Sequence, residues 1–395
     1  MKRIALVCTR YGIEVKDAAA RYARQLAEQL VKHYEVDVLT TKALDDTTWR
    51  NWYARGKENV RGVNVYRFRT EKERAGNLEA YANTYMEECL KGKKSIGVEK
   101  IWVEKTGPYA PDCIRYLIRR RENYDVIIFV GFMNYLTVAG MPEASGKAVL
   151  VPLIKEDSPY FDFQVFQQMF TMPRGFIFLT DEERMLVRKR FKTQGIPCQV
   201  MGTGTNIPDN IDERAFYHKY NLRERYIVYS GKVDDEKNIP ELVHYFIEYK
   251  KKRPESLIKL VLMGEVKCNI PRNTDIITTG FVPELDKYSG IAGAEILCEP
   301  ASNENYPESI ISAMALGIPV VVNGRCSTLR EHCTKSNAGL YYENFFEFER
   351  ALDLILANDS VYEEMARNGL KYIKENYEWN AIIEKFIQLI NKAVK

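Results

Sequence analysis

Short apolar runs alternate with longer runs whose apolar positions recur at helical spacing. In the first half the strand-like runs are RIALVC, VDVLT, VNVYRF, DVIIFV, AVLVP and FIFLT. Between the first two lies AAARYARQLAEQLVKHY, which predicts an amphipathic helix over 18–34. The alternation resumes after residue 207 with YIVYSG, ELVHYFIEYKKK, IKLVLMG, DIITTGF, AEILCEP, ESIISAMALG and IPVVVNG. Continuous apolar strands separated by helices predict parallel sheets covered on both faces. The expected fold class is therefore α/β, with two doubly wound, Rossmann-like domains facing a central cleft. At 395 residues the chain also exceeds the roughly 250–300 residues at which a single core stops growing.

Gly, Pro, Asn and Asp cluster in TGTNIPDN, which sets the expected boundary: domains over 1–207 and 208–378, then a helix over 379–395 able to pack across either domain. No apolar run approaches the ~20 residues of a membrane span. The start, MKRIALVCTRYGIE, reads as a buried strand; it has no small-residue cleavage site, and its apolar run is too short for a signal sequence. The eight cysteines are scattered without CxxC spacing, as expected of reduced thiols in a cytoplasmic protein. Cys326, His332 and Cys333 lie close together, but no fourth ligand is evident, so no metal is expected.

The net charge of +3 is uneven. Residues 1–207 hold 33 Lys and Arg against 25 Asp and Glu; the remainder holds 24 against 29. A basic first half suits an anionic partner, either a phosphorylated acceptor or a membrane surface touched peripherally from its inner face. Solvated faces that happen to differ would give the same count. No basic stripe interleaved with aromatics occurs, which argues against nucleic acid.

A Rossmann dinucleotide site would carry GxGxxG after its first strand. Here that turn, CTRYGIEVKDAAA, has a single glycine, Gly12, and a P-loop is absent as well. In YIVYSGKVDDEKNIPEL a strand ends at Gly231, and Lys232 and Lys237 bracket an acidic turn before a helix. Two ammonium groups near a helix N-terminus can hold a diphosphate; solvated loop lysines are the competing reading. In SNENYPESIISAMALGIPV, Glu304 and Glu308 can accept hydrogen bonds from sugar or ribose hydroxyls. Helix capping by Asn305 or a neighbour, with Glu308 complementing the dipole, explains the same residues.

GKVDDEKN, GFVPELDKYSGIAGAEILCEP and SNENYPESIISAMALGIPVVVNG, in that order, resemble the C-terminal domain of family 4 glycosyltransferases of the GT-B fold. The resemblance extends over nearly the whole chain. TTKALDDTTWRNWYARG, NVYRFR and LREHCTKSNAGLYYEN look like a bacterial subgroup that builds surface polysaccharides. The resemblance implies a retaining enzyme that moves a sugar from a nucleotide diphosphate sugar to a polysaccharide or lipid-linked acceptor, without a metal or other cofactor. Its Arg and Lys five residues apart, which bind the diphosphate, correspond to Lys232 and Lys237. Its first Glu, which touches the transferred sugar, corresponds to Glu304. Its second Glu, which holds the ribose, corresponds to Ser312. Gly231, Glu308 and Ser309 fall among the implied donor contacts.

Three positions depart from the family pattern. Ser312 replaces a carboxylate by a hydroxyl. The first loop, where the family carries Gly-Gly-Ala-Glu, has Asp17, Ala18, Ala19 and Ala20, so Gly12 and Asp17 are its candidate donor or acceptor contacts. The segment VPLIKEDSPYF places Lys155, Glu156 and Asp157 where the family has His-Asp-Glu; Lys155 is the candidate catalytic cation beside Glu304. Trp49 and Trp52, with Tyr53, are candidate platforms for acceptor sugars, or else core residues. The departures leave a second reading open, a catalytically degenerate relative that binds a glycan or a partner enzyme. An epimerase on the same fold would need an acid/base set that the sequence does not display.

Overall fold

The computed structural model describes residues 2–15, 17–144, 146–154, 157–304 and 307–394. The chain forms two compact units: Met1–Gly204 together with Ile382–Lys395, and Thr205–Ala381.

The first unit is built on an eight-stranded sheet of order β3-β4-β2-β1-β5-β6-β7-β8. Its strands are β1 Arg3–Val7, β2 Glu35–Thr41, β3 Lys57–Val60, β4 Val63–Phe68, β5 Val126–Val130, β6 Ala148–Val151, β7 Gly175–Phe178 and β8 Cys198–Val200. All neighbours pair in parallel except β3 and β4, which form an antiparallel edge. β5 and β6 are buried at every position, as strands covered on both faces must be. The helix predicted over 18–34 runs from Ala18 to Leu30. Beyond it the amides of Lys32 and His33 turn back onto the carbonyls of Gln29 and Leu30, which ends the helix one turn early.

The second unit holds a six-stranded, all-parallel sheet of order β11-β10-β9-β12-β13-β14. Its strands are β9 Tyr226–Ser230, β10 Lys259–Met263, β11 Ile276–Gly280, β12 Ile296–Glu299, β13 Val320–Asn323 and β14 Gly339–Tyr342. Alternate residues feed two cores. Val228, Leu297, Val320 and Val322 join one, with Ile310 and Met314 of the helix Glu308–Ala315. Ile227, Tyr229, Ile296, Cys298 and Val321 join the other, with Leu242 and Phe246 of the helix Ile239–Lys252. This period-two division fixes where Glu299 goes: it shares the face of Leu297, under the helix Glu308–Ala315.

Among the parallel strands of each sheet the order reverses between β1 and β5 and between β9 and β12. Loops leaving the C-terminal ends of such strands diverge and leave a crevice, where open α/β sheets take their ligands. All eight cysteines are free thiols. Among the described residues no helix is long and apolar enough to cross a membrane, and no His/Cys/Asp/Glu group is arranged to hold a metal ion.

Candidate functional site

The reversal in the second unit brings the loop after β9 beside the loop after β12. Lys237 and Glu304, 67 residues apart in sequence, form an ion pair there. The loop after β9 is held by its own backbone and also tied to the loop after β12. The Lys237 amide donates to Asp234 Oδ1 at 2.9 Å, and Asn238 adopts a left-handed conformation (φ 56°) to start the helix Ile239–Lys252. The Asn238 side-chain amide then donates to Glu241 Oε1 at 2.9 Å and to the Pro300 carbonyl at 3.2 Å, tying the two loops together. Asn323 Nδ2 clasps the same carbonyl from β13 at 2.9 Å.

Burial pulls the Lys237 ammonium down. Its hydrogen bond to Glu304 and the charges of Glu304, Glu299 and Asp234 outweigh that and hold it above its usual value. Lys237 therefore stays charged throughout the physiological range. Lys232 is exposed and has no ion pair among the described residues. Gly231, between β9 and Lys232, lies against the turn at Gly264. A Cβ on Gly264 would fall 1.6 Å from the Gly231 carbonyl oxygen, and Gly264 sits at φ +151°, so only glycine allows this approach.

Glu308 opens the helix Glu308–Ala315, and its Oε1 accepts from Lys287 Nζ at 2.9 Å. Burial lowers the Lys287 ammonium, but the Glu308 charge outweighs it and holds Lys287 above its usual value. Pro307 precedes this helix and supplies no side-chain cap; Asn305, weighed above as a cap, lies outside the described residues. Ser309 donates to Glu299 Oε2 at 2.6 Å. Ser312 is buried beside Tyr288, so its hydroxyl is committed to the protein interior.

The first unit alters several expectations. Lys155, with Glu156, lies outside the described residues. Asp17 is a helix cap. Its Oδ1 accepts from the Ala20 amide at 3.0 Å, and its Oδ2 pairs with Arg10 Nη2 at 3.2 Å. Arg10 is itself buried, reaches Asp46 Oδ2 at 3.1 Å and lies over the Trp49 ring at 5.6 Å. The Asp17 carboxylate is thus offset by a buried guanidinium that it shares with Asp46. Trp49 is only 5% exposed, with its indole N–H bound to the Thr106 carbonyl at 2.7 Å, so it is a packing residue and not a sugar platform. Trp52 is 56% exposed and meets Tyr53 edge-on at 4.7 Å, leaving a ring face open. Gly12 packs against the tip of Tyr53; a Cβ there would lie 2.0 Å from the Tyr53 hydroxyl and would push that side chain aside.

The structure places Lys237 and Glu304 in direct contact, and the sequence reading did not single out Glu299, Lys287 or Arg10. A charged residue at the end of an apolar strand, as in AEILCEP, was the available signal for Glu299.

Residues 210–374 match the family model described as glycosyl transferases group 1. An uncharacterised glycosyltransferase of Haemophilus influenzae is 25% identical over 215 residues, covering 53% of this chain and 58% of that protein. The chain thus spans little more than half the length of that curated relative. Among solved structures, a sucrose-phosphate synthase from Thermosynechococcus elongatus superposes with a TM-score of 0.64 at 16% identity, over 99% of both chains. HepE of Anabaena in complex with UDP superposes with a TM-score of 0.67 at 12% identity, over 99% of this chain and 100% of that one. HepE has also been solved with UDP-glucose.

Proposed function

From a chain whose residues 210–374 belong to the glycosyl transferases group 1 family, and which has the GT-B fold, we propose a retaining glycosyltransferase that uses a nucleotide diphosphate sugar. The Lys237–Glu304 pair at the strand-order reversal of the second unit carries this reading. It sets a cation suited to a diphosphate beside a carboxylate suited to sugar hydroxyls, at the crevice where such sheets take ligands.

Lys232 and Lys237 neutralise the leaving diphosphate, so that departure of the sugar needs no metal at this site. Each acts as a point charge, without the fork of an arginine. Glu304 accepts hydrogen bonds from the transferred sugar and fixes its orientation. The acceptor hydroxyl attacks from the face the diphosphate leaves, and departing phosphate oxygens take its proton. Lys155 is the proposed second cation, and Trp52 the proposed aromatic surface for a sugar of the acceptor. A growing polysaccharide or lipid-linked glycan suits the basic first half, by attraction of an anionic acceptor or membrane surface.

A calorimetric titration against UDP, GDP and dTDP without metal tests the donor site. One nucleotide is expected to bind in preference, and its glucose and hexosamine conjugates then enter a transfer assay. Absence of binding to all three at high nucleotide concentration would sink the proposal.

A further inference from the structure

Glu299 ends β12 and is 4% exposed, deeper than any other carboxylate of the donor loops. Among the described residues one short hydrogen bond reaches it, from Ser309 Oγ to Oε2 at 2.6 Å; the Ala301 amide lies 3.4 Å from Oε1. The groups that face it are Lys237 and Glu304 from the two loops, Tyr229 of β9, Tyr342 of β14 and the adjacent Cys298. Among the described residues Lys237 is the one cation that acts on Glu299. Around Glu299, one ammonium thus serves two carboxylates, and one of these is buried. That balance survives only while the ammonium stays where it is.

We infer that Glu299 is a positioning residue that couples donor binding to the uptake of one proton. The inference rests on the nucleotide-sugar reading above. When a diphosphate draws the Lys237 ammonium to itself, the buried carboxylate loses its compensating charge and faces an added anion. It then takes a proton from solvent on Oε1. Oε2 keeps the Ser309 hydrogen bond, so the first turn of the helix Glu308–Ala315 stays in register with the donor. No bond other than O–H forms, and the proton comes from buffer.

The resting state is prepared for this exchange. Burial pushes the Glu299 carboxyl up to about 7, aided by Glu304 and opposed by the Ser309 hydrogen bond and the Lys237 charge. Moving the Lys237 charge away raises it further. The sign follows: affinity is highest where Glu299 is already protonated and falls as pH rises above about 7.

The probe is whichever of UDP-, GDP- or dTDP-glucose binds, since none of these diphosphate diesters titrates between pH 6 and 8.5. Calorimetry in two buffers of different ionisation enthalpy reads the proton count. The wild type is expected to take up roughly 0.7 of a proton near pH 7.5, and to approach a tenfold loss of affinity per pH unit well above the midpoint. Glu299→Gln keeps an acceptor for Ser309 and removes the charge; it should bind with no proton uptake and with a flat pH profile. Ser309→Ala keeps the charge and removes its hydrogen bond; its midpoint should move to higher pH. A pH slope in Glu299→Gln equal to wild type, or no proton uptake by wild type, overturns the inference while leaving donor binding intact. If no nucleotide sugar binds at any pH, the donor reading itself fails, and the inference with it.

Discussion

Replacing Lys237 by alanine removes the ammonium that joins the two loops of the donor site. Two unit charges 4 Å apart attract by about 4 kcal/mol at an effective dielectric of about 20. Lys237 already spends part of that on Glu304, so a diphosphate gains only the difference when the ammonium turns to it. The variant, however, also takes away the ammonium that offsets Glu304 and Glu299, so the incoming diphosphate meets a more negative site. Together these effects put the loss at about 2–4 kcal/mol, or roughly 30- to 1,000-fold in donor affinity. Stability should suffer less. The paired side chains are 30% and 17% exposed, and partial solvation limits the cost to about 1–2 kcal/mol. A calorimetric titration with the preferred nucleotide sugar, alongside thermal unfolding, measures both effects. A cycle with Glu304→Gln should return a coupling above ~0.5 kcal/mol, as for residues in direct contact. A Lys237→Ala protein that stays folded and binds within threefold of wild type would refute the charge argument and remove the diphosphate site.

Three further outcomes are expected. His332 is buried, and burial lowers its imidazole to about 4 from 6.5, so the unfolded chain binds the extra proton between those values. Stability should therefore fall as pH drops from about 6.5 towards 4, by up to about 3 kcal/mol; urea midpoints across that window should show a shallower acid limb in His332→Phe. Trp49→Ala should cost about 3–5 kcal/mol by emptying a buried site, whereas Trp52→Ala should leave Tm nearly unchanged and weaken only acceptor use; equal Tm losses would show that both are core residues. Gly264→Ala should destabilise by about 3 kcal/mol or more and abolish nucleotide binding, because its Cβ would strike the Gly231 carbonyl next to Lys232; a variant with wild-type Tm would mean the two turns can separate freely.

The alternation of apolar runs and amphipathic helices determined much by itself. A strand buried on both faces must be apolar along its length, so VIIFV, AVLV, KLVLM and VVVN announce themselves. Spacing and resemblance act along the chain, so they could single out Lys232, Lys237 and Glu304 as candidates without showing that Lys237 and Glu304 pair. Short edge strands were not legible: Lys57–Val60 alternates exposed and half-buried positions, and Cys198–Val200 is half-buried throughout, so neither gives a hydrophobic signal. Charge partners across the sheet order were equally hidden. The sequence presents Lys237 and Glu304 as two loop residues, Glu299 as the end of an apolar run, and Asp17 as a repulsive charge near a phosphate site. Strand order decides that the first three come together after β9 and β12, and the fold of the loop after β1 decides that Arg10 pairs with the fourth. Pattern is a property of neighbours in the chain, and it fixes which faces are buried. Electrostatic balance is a property of neighbours in space, and only the folded topology pairs the ammonium of Lys237 with Glu304 and sets its charge against the buried Glu299.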